Sequence, residues 1–392
     1  MRILYHHRTQ GRQVEGVHIR GIVNALRGLG HQVRVLSFPG ADPEQEPNAI
    51  SAGQNRSRLG ALLARAPGVL FEVLELGYNL VTRYRVARAL RQQKPDFIYE
   101  RYALFLCASV WLARRRGIPI ILEINDSALV PRVRPLTMKR LARRIEGWCW
   151  RNATGLVFIS SWFRDCARDA YGEIAPSVIS PNAADIDRFD IGRFDRSALR
   201  RERGIDDAVV CGYIGGFVPW HGIAGFVQHI ASRLDESPQL KLLLVGDGAD
   251  LPAVRSAIEK AGLGDRVLLP GRVAHAEIPD WIACMDYAVL ADSNEYGSPM
   301  KLFELMAMGV AVVAPDYAPI AEVIDHGRNG WLFVRKDIDA CVDTVLWLAR
   351  DPEELLLAGA AAHTSIADHH QWRNNAEQLL SLLPDNRDKS DA

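Results

Sequence analysis

The sequence predicts an α/β protein made of two doubly wound domains, each a parallel sheet with helices on both faces. Three observations carry this reading. The chain has 392 residues, more than one ordinary hydrophobic core accommodates. Strand-sized apolar runs alternate with helical patterns along its length, which is the pattern of a parallel sheet. The alternation breaks in a polar segment near residues 182–207 and then restarts.

The elements follow in order. Arg2–Tyr5 reads as a strand, followed by a loop with Gly11 and Gly16 and a helix from about Val17 to Leu29. Gly30 ends that helix and strand Val33–Phe38 follows, giving a βαβ unit with a glycine-bearing first turn. Further strands read at Phe97–Tyr99, Pro119–Ile124 and Gly155–Ile159, the last followed by Ser160-Ser161 and a helix. Val178–Pro181 leads into Asn182 and the polar break.

The second series starts with Val209–Ile214, which ends in Gly215-Gly216. Leu240–Val245 ends in Gly246-Asp247-Gly248, Val267–Leu269 in Pro270-Gly271, Tyr287–Leu290 in Ala291-Asp292, and Val310–Ala314 in Pro315-Asp316. The expected organisation is a first domain over 1–182, a second over 183–370, and a C-terminal helix in 371–392 that packs back on the first domain before a frayed polar tail. Two such domains are expected to face a central cleft at the carboxyl ends of their strands, where open α/β sheets bind ligands.

Composition narrows the classes. Hydrophobic residues make up 48% and charged residues 24%, as in a soluble globular protein. The six cysteines are scattered and none forms a Cys-x-x-Cys pair, which argues for reduced thiols and against a disulfide framework or structural zinc. No apolar stretch approaches the roughly eighteen residues of a spanning helix, and the first ten residues lack a signal core. The expected location is the cytoplasm, with peripheral attachment to the cytoplasmic membrane face. Net charge is zero overall, yet residues 1–190 carry 28 Lys and Arg against 17 Asp and Glu. That basic half suits an anionic surface, or is simply solvated. Segment Arg132–Arg151, with Trp148 and Trp150, reads either as a membrane-surface helix or as a surface helix whose tryptophans are core.

The most informative stretch is Ser298-Pro299-Met300-Lys301-Leu302-Phe303-Glu304, closed by Gly309. Ser298 is expected to cap a short helix with Pro299 at its first position. A helix N-terminus attracts an anion, and Lys301 in the first turn is best explained by a bound phosphate. Glu304, among apolar neighbours, needs a partner, and ribose hydroxyls are suitable donors; the other reading is a solvated Glu on a polar face. The turn Gly215-Gly216 up to His221-Gly222 lets a ligand approach the backbone, with His221 as a donor to a diphosphate. Gly246 ends a similar, less specific turn.

In the first domain Glu123, Asn125 and Asp126 lie at the carboxyl end of a buried strand, where an α/β sheet puts reacting groups. Glu100-Arg101-Tyr102, His6, His7 and His18 lie at similar places. Each of these is equally a satisfied polar residue at a strand end. Asp185-Ile186-Asp187 and Asp337-Ile338-Asp339 lack the surrounding ligands of a metal site, and no metal is expected. The G-x-S-x-G elbow and the G-x-x-x-x-G-K-[ST] loop are absent, and the first βα turn lacks G-x-G-x-x-G.

Together, Ser298–Pro315 with Glu304, the turn Gly215–Gly222, Leu242–Gly248, Pro181-Asn182 and the opening Met1–Val35 resemble glycosyltransferase family 4 across nearly the whole chain. The resemblance implies a GT-B fold of two Rossmann-like domains, retention of anomeric configuration and no required metal or cofactor. It implies transfer from a UDP- or GDP-linked sugar to a glycan or lipid-linked acceptor in surface polysaccharide or glycoconjugate synthesis, with no nucleic-acid partner. A nucleotide-sugar epimerase of the same fold and a non-catalytic sugar-nucleotide-binding subunit are the alternatives. On the resemblance, Glu304 is the second Glu of the E-x7-E motif, which holds the donor ribose. Ser298, Pro299, Met300, Lys301 and Leu302 lie along the donor sugar and phosphates, and Gly16 near the diphosphate. The chain departs from the family at three points: the first motif Glu falls on Tyr296, with Glu295 one place off, the phosphate-binding Arg on Gly216, and its Lys on His221. Lys301 with His221 is expected to supply the missing positive charge.

Overall fold

The computed structural model describes residues 1–9, 14–37, 68–132 and 134–384. Gly11, Phe38 and the tail 385–392 lie outside the described residues. The chain divides into two compact units, Met1–Pro181 with Trp372–Ala392, and Asn182–Gln371.

Unit 1 runs β1 (Arg2–His6), α1 (Val14–Gly28), β2 (Gln32–Leu36), α2 (Gly68–Gln92), β3 (Phe97–Arg101), α3 (Ala108–Arg116), β4 (Ile120–Ile124), α4 (Lys139–Asn152), β5 (Gly155–Phe158), α5 (Ser161–Tyr171) and β6 (Ser177–Ile179). Its sheet has the order β2-β1-β3-β4-β5-β6. Every pairing is parallel, with Tyr5 opposite Val35 on one side and Tyr99 on the other. Local signals set the helix ends. Ser160 caps α5 by accepting from the Phe163 amide at 3.3 Å. Gly117, at φ +59°, closes α3 in the left-handed conformation.

Unit 2 runs α6 (Arg196–Glu202), β7 (Val209–Ile214), α7 (Ile223–Ala231), β8 (Leu240–Val245), α8 (Leu251–Lys260), β9 (Val267–Gly271), α9 (Ile278–Ile282), β10 (Tyr287–Val289), α10 (Met300–Ala307), β11 (Ala311–Pro315), α11 (Ala318–Ala321), β12 (Gly330–Phe333), α12 (Ile338–Leu348) and α13 (Pro352–His369). Its order is β12-β11-β10-β7-β8-β9, again all parallel. Successive residues of β7 point to opposite faces. Cys211 and Tyr213 enter one core with Leu242, Leu244 and Val313. Val210 and Ile214 enter the other with Leu243, Val312 and Phe303. Burial on both faces is why these strands read as continuous apolar runs rather than alternating ones.

After unit 2 the chain returns to unit 1 as α14 (Trp372–Leu380). Ala376 and Leu379 join the core with Ile22, Leu26 and Tyr99. Trp372 sits against α1 at Gly21, where a Cβ would come within 2.4 Å of its ring. Asn375 donates to the Pro181 carbonyl at 2.7 Å.

Several expectations need correction. Helix α1 begins at Val14, so Gly16 lies in its first turn and not in a loop. Helix α2 and strand β12 were not anticipated. The D-x-D strings serve local structure: the Asp337 side chain caps α12 at Ala340, and Asp185 accepts from the Asp187 amide. None of the six cysteines is in a disulfide, in line with the scattered thiols of the sequence. Among the described residues no helix is long and apolar enough to cross a membrane.

Candidate functional site

The carboxyl end of β7 and the start of α10 form one cluster within unit 2. Tyr213, the penultimate residue of β7, is fully buried beneath it. Its hydroxyl donates to the Gly216 carbonyl at 2.8 Å. His221 Nδ1 lies 2.7 Å from the same carbonyl. A carbonyl only accepts, so Nδ1 carries the hydrogen, and in the neutral ring Nε2 holds the lone pair. Burial lowers the His221 pKa, and the nearby Lys301 charge lowers it further.

Lys301 Nζ stands 4.7 Å from the centre of the Tyr213 ring and 3.5 Å from its hydroxyl. Among the described residues no carboxylate lies within salt-bridge distance of it. Its position over the π face offsets part of the lost hydration. Burial nonetheless pulls its pKa down to about 7. Gly215 makes room for the ammonium: at φ +146° it is a position that L side chains avoid, and a Cβ there would sit 2.9 Å from Nζ. At Gly216 a Cβ would meet nothing closer than Val218, at 3.8 Å. Packing within the protein therefore does not require that glycine. Gly246 has a different task. A Cβ there would run into the Gly215 carbonyl at 1.9 Å, so it allows the β7 and β8 turns to touch.

At α10 the expected cap is shifted by one residue. Pro299 is the cap and Met300 the first helical residue. The Ser298 hydroxyl is taken by the Asn182 amide at 3.0 Å, and the Asn182 side chain donates to the Ser298 carbonyl. Ser298 stands one residue before the cap with its hydroxyl turned to Asn182, and proline has no side-chain acceptor. Leu302 N reaches the Pro299 carbonyl at 3.0 Å. No side chain caps the first-turn amides of Met300 and Lys301.

One turn on, Glu304 is 8% exposed, and among the described residues its carboxylate has no hydrogen-bond partner. Burial raises its pKa to about 7, against the weak opposing pull of Arg188. Glu295 pairs with Arg335 at 3.5 Å. The residues sequence reasoning missed are Tyr213 and the Asn182 clamp on Ser298. A tyrosine one position before a strand's end, pointing into the core, gives no signal in a linear pattern.

In unit 1 the candidates are linked to one another. Glu123, 1% exposed, accepts from Tyr99 at 2.8 Å, from His18 at 3.1 Å, and from Arg101 and Asn125. Burial alone would raise its pKa, but His18 and Arg101 hold it well below the usual carboxylate range. It is a fixed anion with no proton to donate, and Asn125 is one of its donors. Asp126 pairs with Arg132 at 3.0 Å. His6 is buried against Glu100. His7 carries a pKa lowered to about 4, first by burial and then by His6. Gly16 is buried in the first turn of α1. Among the described residues no cluster of three or more His, Cys, Asp or Glu could hold a metal.

Two family models together match most of the chain: a glycosyl transferase 4-like domain over residues 15–183 and glycosyl transferases group 1 over residues 208–351. The chain is a group 1 glycosyltransferase. It is 26% identical over 236 residues to a GDP-mannose-dependent alpha-(1-6)-phosphatidylinositol monomannoside mannosyltransferase of Mycobacterium tuberculosis. That alignment covers 58% of this chain and spans 61% of the relative's length. It is 25% identical to an alpha-D-kanosaminyltransferase of Streptomyces kanamyceticus, covering 86% of this chain and 90% of the other. Among solved structures, Anabaena HepE in complex with UDP aligns at a TM-score of 0.71 and 18% identity, over 97% of this chain and 99% of that one. That likeness gives the transferase its fold, GT-B, with two Rossmann-like domains.

Proposed function

We propose that the transferase takes a sugar from a UDP- or GDP-linked donor held by unit 2 and passes it, with retention, to a glycan or lipid-linked acceptor held by unit 1. The reaction belongs to surface polysaccharide or glycoconjugate synthesis at the cytoplasmic face of a membrane. One observation carries the donor assignment: a half-buried ammonium, Lys301, and a buried carboxylate, Glu304, stand without an ion-pair partner on the first turns of one helix. Each such group alone is costly, and a nucleoside diphosphate supplies both partners. Its phosphates meet Lys301 and the free amides of Met300 and Lys301, and their negative charge offsets the cost of protonating His221 at Nε2, which then donates to them. Its ribose hydroxyls donate to Glu304. The mycobacterial relative's GDP-mannose dependence and the UDP in HepE support a nucleotide donor of this kind.

In the transfer the bond from the anomeric carbon to phosphate breaks, and its electrons go to the leaving oxygen. The acceptor oxygen bonds to that carbon and passes its proton to the departing diphosphate oxygen. Lys301 and protonated His221 stabilise the leaving charge, with no metal or cofactor in the step. Glu123, with Asn125 as its donor, fixes the orientation of Arg101 and His18 at the carboxyl end of the unit 1 sheet.

Calorimetry with UDP, GDP and ADP tests this. One uridine or guanosine diphosphate should bind, and Lys301→Ala and Glu304→Ala should each weaken it at least tenfold. Equal affinity in folded variants refutes the donor site. Acceptor-dependent nucleotide release separates a transferase from an epimerase, which would return isomerised donor, and from a subunit that only binds.

A further inference from the structure

Three helices of unit 1, α2, α3 and α4, share a distribution of charge that the donor site does not use. Eleven Lys and Arg side chains on them are exposed, Arg83, Arg115, Arg143 and Arg144 among them. The same helices hold three carboxylates, and each is turned inward. Glu72 accepts from the amides of Thr137 and Met138. Glu75 pairs with Arg8. Glu146 is fully buried, accepting from Ser127 at 2.7 Å and Tyr171 at 2.6 Å. The outer surface of these helices is therefore cationic without internal neutralisation.

Apolar side chains stand among those cations. Leu80 is 70% exposed, Tyr84 67%, Leu141 40% and Trp111 39%. On α2 the exposed set Val69, Val73, Leu80 and Tyr84 recurs at helical spacing and forms a stripe. Leu80, Trp111, Leu141 and Trp148 line an open slot of about 580 Å³, rimmed by Arg83 and Arg144. Arg115 lies over the Trp111 ring at 5.2 Å. Trp148 faces this slot, whereas Trp150 is wholly buried in the core, so one tryptophan of the basic segment is available at the surface and the other is not. Contiguous exposed apolar area is uncommon on a soluble monomer and marks an interaction surface.

We propose that this face docks the transferase on an anionic phospholipid bilayer, with Leu80, Trp111 and Leu141 entering the headgroup–acyl boundary and the arginines contacting lipid phosphates. A second copy of the chain would present the same cations and repel it. A neutral protein partner would leave Arg83 and Arg144, which rim the slot, without counter-ions. An anionic bilayer satisfies the charge and the apolar stripe together. The proposal deepens the membrane-side reading above. It is tested without donor or acceptor, so the two can fail separately.

The test is sedimentation of the full chain with vesicles of phosphatidylcholine alone or with about a third phosphatidylglycerol. Binding is expected only to the anionic vesicles and is expected to weaken with salt. Arg83→Gln and Arg144→Gln should each lower the partition coefficient about fivefold, because one basic side chain near such a surface contributes about 1 kcal/mol. Leu80→Ser with Trp111→Ser should lower it on the order of tenfold. All four positions are exposed, so the fold and nucleotide binding should be unchanged. Equal binding to neutral vesicles, or equal binding by wild type and variants, overturns the proposal. So does a wild-type dimer that these substitutions convert to monomer without any vesicle binding.

Discussion

The pH dependence of donor affinity follows from two buried groups with opposite signs. Lys301 has its pKa pulled to about 7 by burial. It binds phosphate only when protonated, so a bound diphosphate pulls that pKa back toward the value in water. Above pH 7 the free protein must first take up a proton, and affinity falls by about tenfold per pH unit. Glu304, raised to about 7, binds ribose hydroxyls best as the carboxylate. Below pH 7 it must lose a proton, and affinity falls again by about tenfold per unit. The expected profile is a bell centred near pH 7. An intact nucleotide sugar is the right probe, because its diphosphate has no group titrating in this range, and calorimetry in buffers of different ionisation enthalpy reads the proton exchanged. Lys301→Arg should flatten the alkaline limb, because guanidinium stays charged. Glu304→Gln should flatten the acid limb and lower the peak. A flat wild-type profile between about pH 5.5 and 8.5, or variants that leave both limbs unchanged, would refute the placing of phosphate and ribose on these side chains.

Further outcomes follow from the same geometry. Glu304 has a raised pKa in the folded protein, so its favourable contribution is present below its unfolded pKa of about 4.5 and is lost as pH rises through 7. Glu304→Gln should therefore raise the melting temperature of the ligand-free protein at pH 8 by a few degrees while removing the shift caused by nucleotide, both read by calorimetric melting. Gly215→Ala forces a Cβ to 2.9 Å from the Lys301 ammonium at φ +146°. It should cost about 1–3 kcal/mol and weaken nucleotide binding, as measured by denaturant unfolding and titration. Glu123→Gln removes the anion that His18 and Arg101 face, and should destabilise by about 3–5 kcal/mol in the same unfolding assay. Gly21→Val drives side-chain atoms into the Trp372 ring. Protease should then release the C-terminal helix first, detected as a mass loss from residue 371 onward.

The alternation of apolar runs with glycine-ended turns made both sheets legible, because a strand buried on two faces must be apolar throughout and its turn must admit close backbone contact. Lys301 and Glu304 stood out because a charge among Leu302, Phe303 and Leu305 has no cheap explanation. Other features were hidden. The exposed side of helix α2 is mixed, with Val69, Leu70, Val73 and Leu74 in its first half and Arg83, Arg88 and Arg91 in its second, so the contrast that reveals an amphipathic helix is weak. The role of Ser298 was misread because a linear pattern shows a hydroxyl before a helix but not the Asn182 amide, 116 positions away, that takes it. Glu123 looked like a reacting group, and only the convergence of four donors, two from β3, one from α1 and one from the turn after β4, reveals a fixed anion.

The return of the chain at Trp372 has a consequence for synthesis. Unit 2 is a continuous stretch, Asn182–Gln371, while unit 1 lacks Trp372, Ala376 and Leu379 until the chain beyond unit 2 is made. The half that is translated first is thus the half completed last. On the ribosome, unit 2 can close while its predecessor waits with an unfilled groove along α1. A stop codon placed after residue 371 spares unit 2, its neighbour in sequence, and damages the distant unit 1.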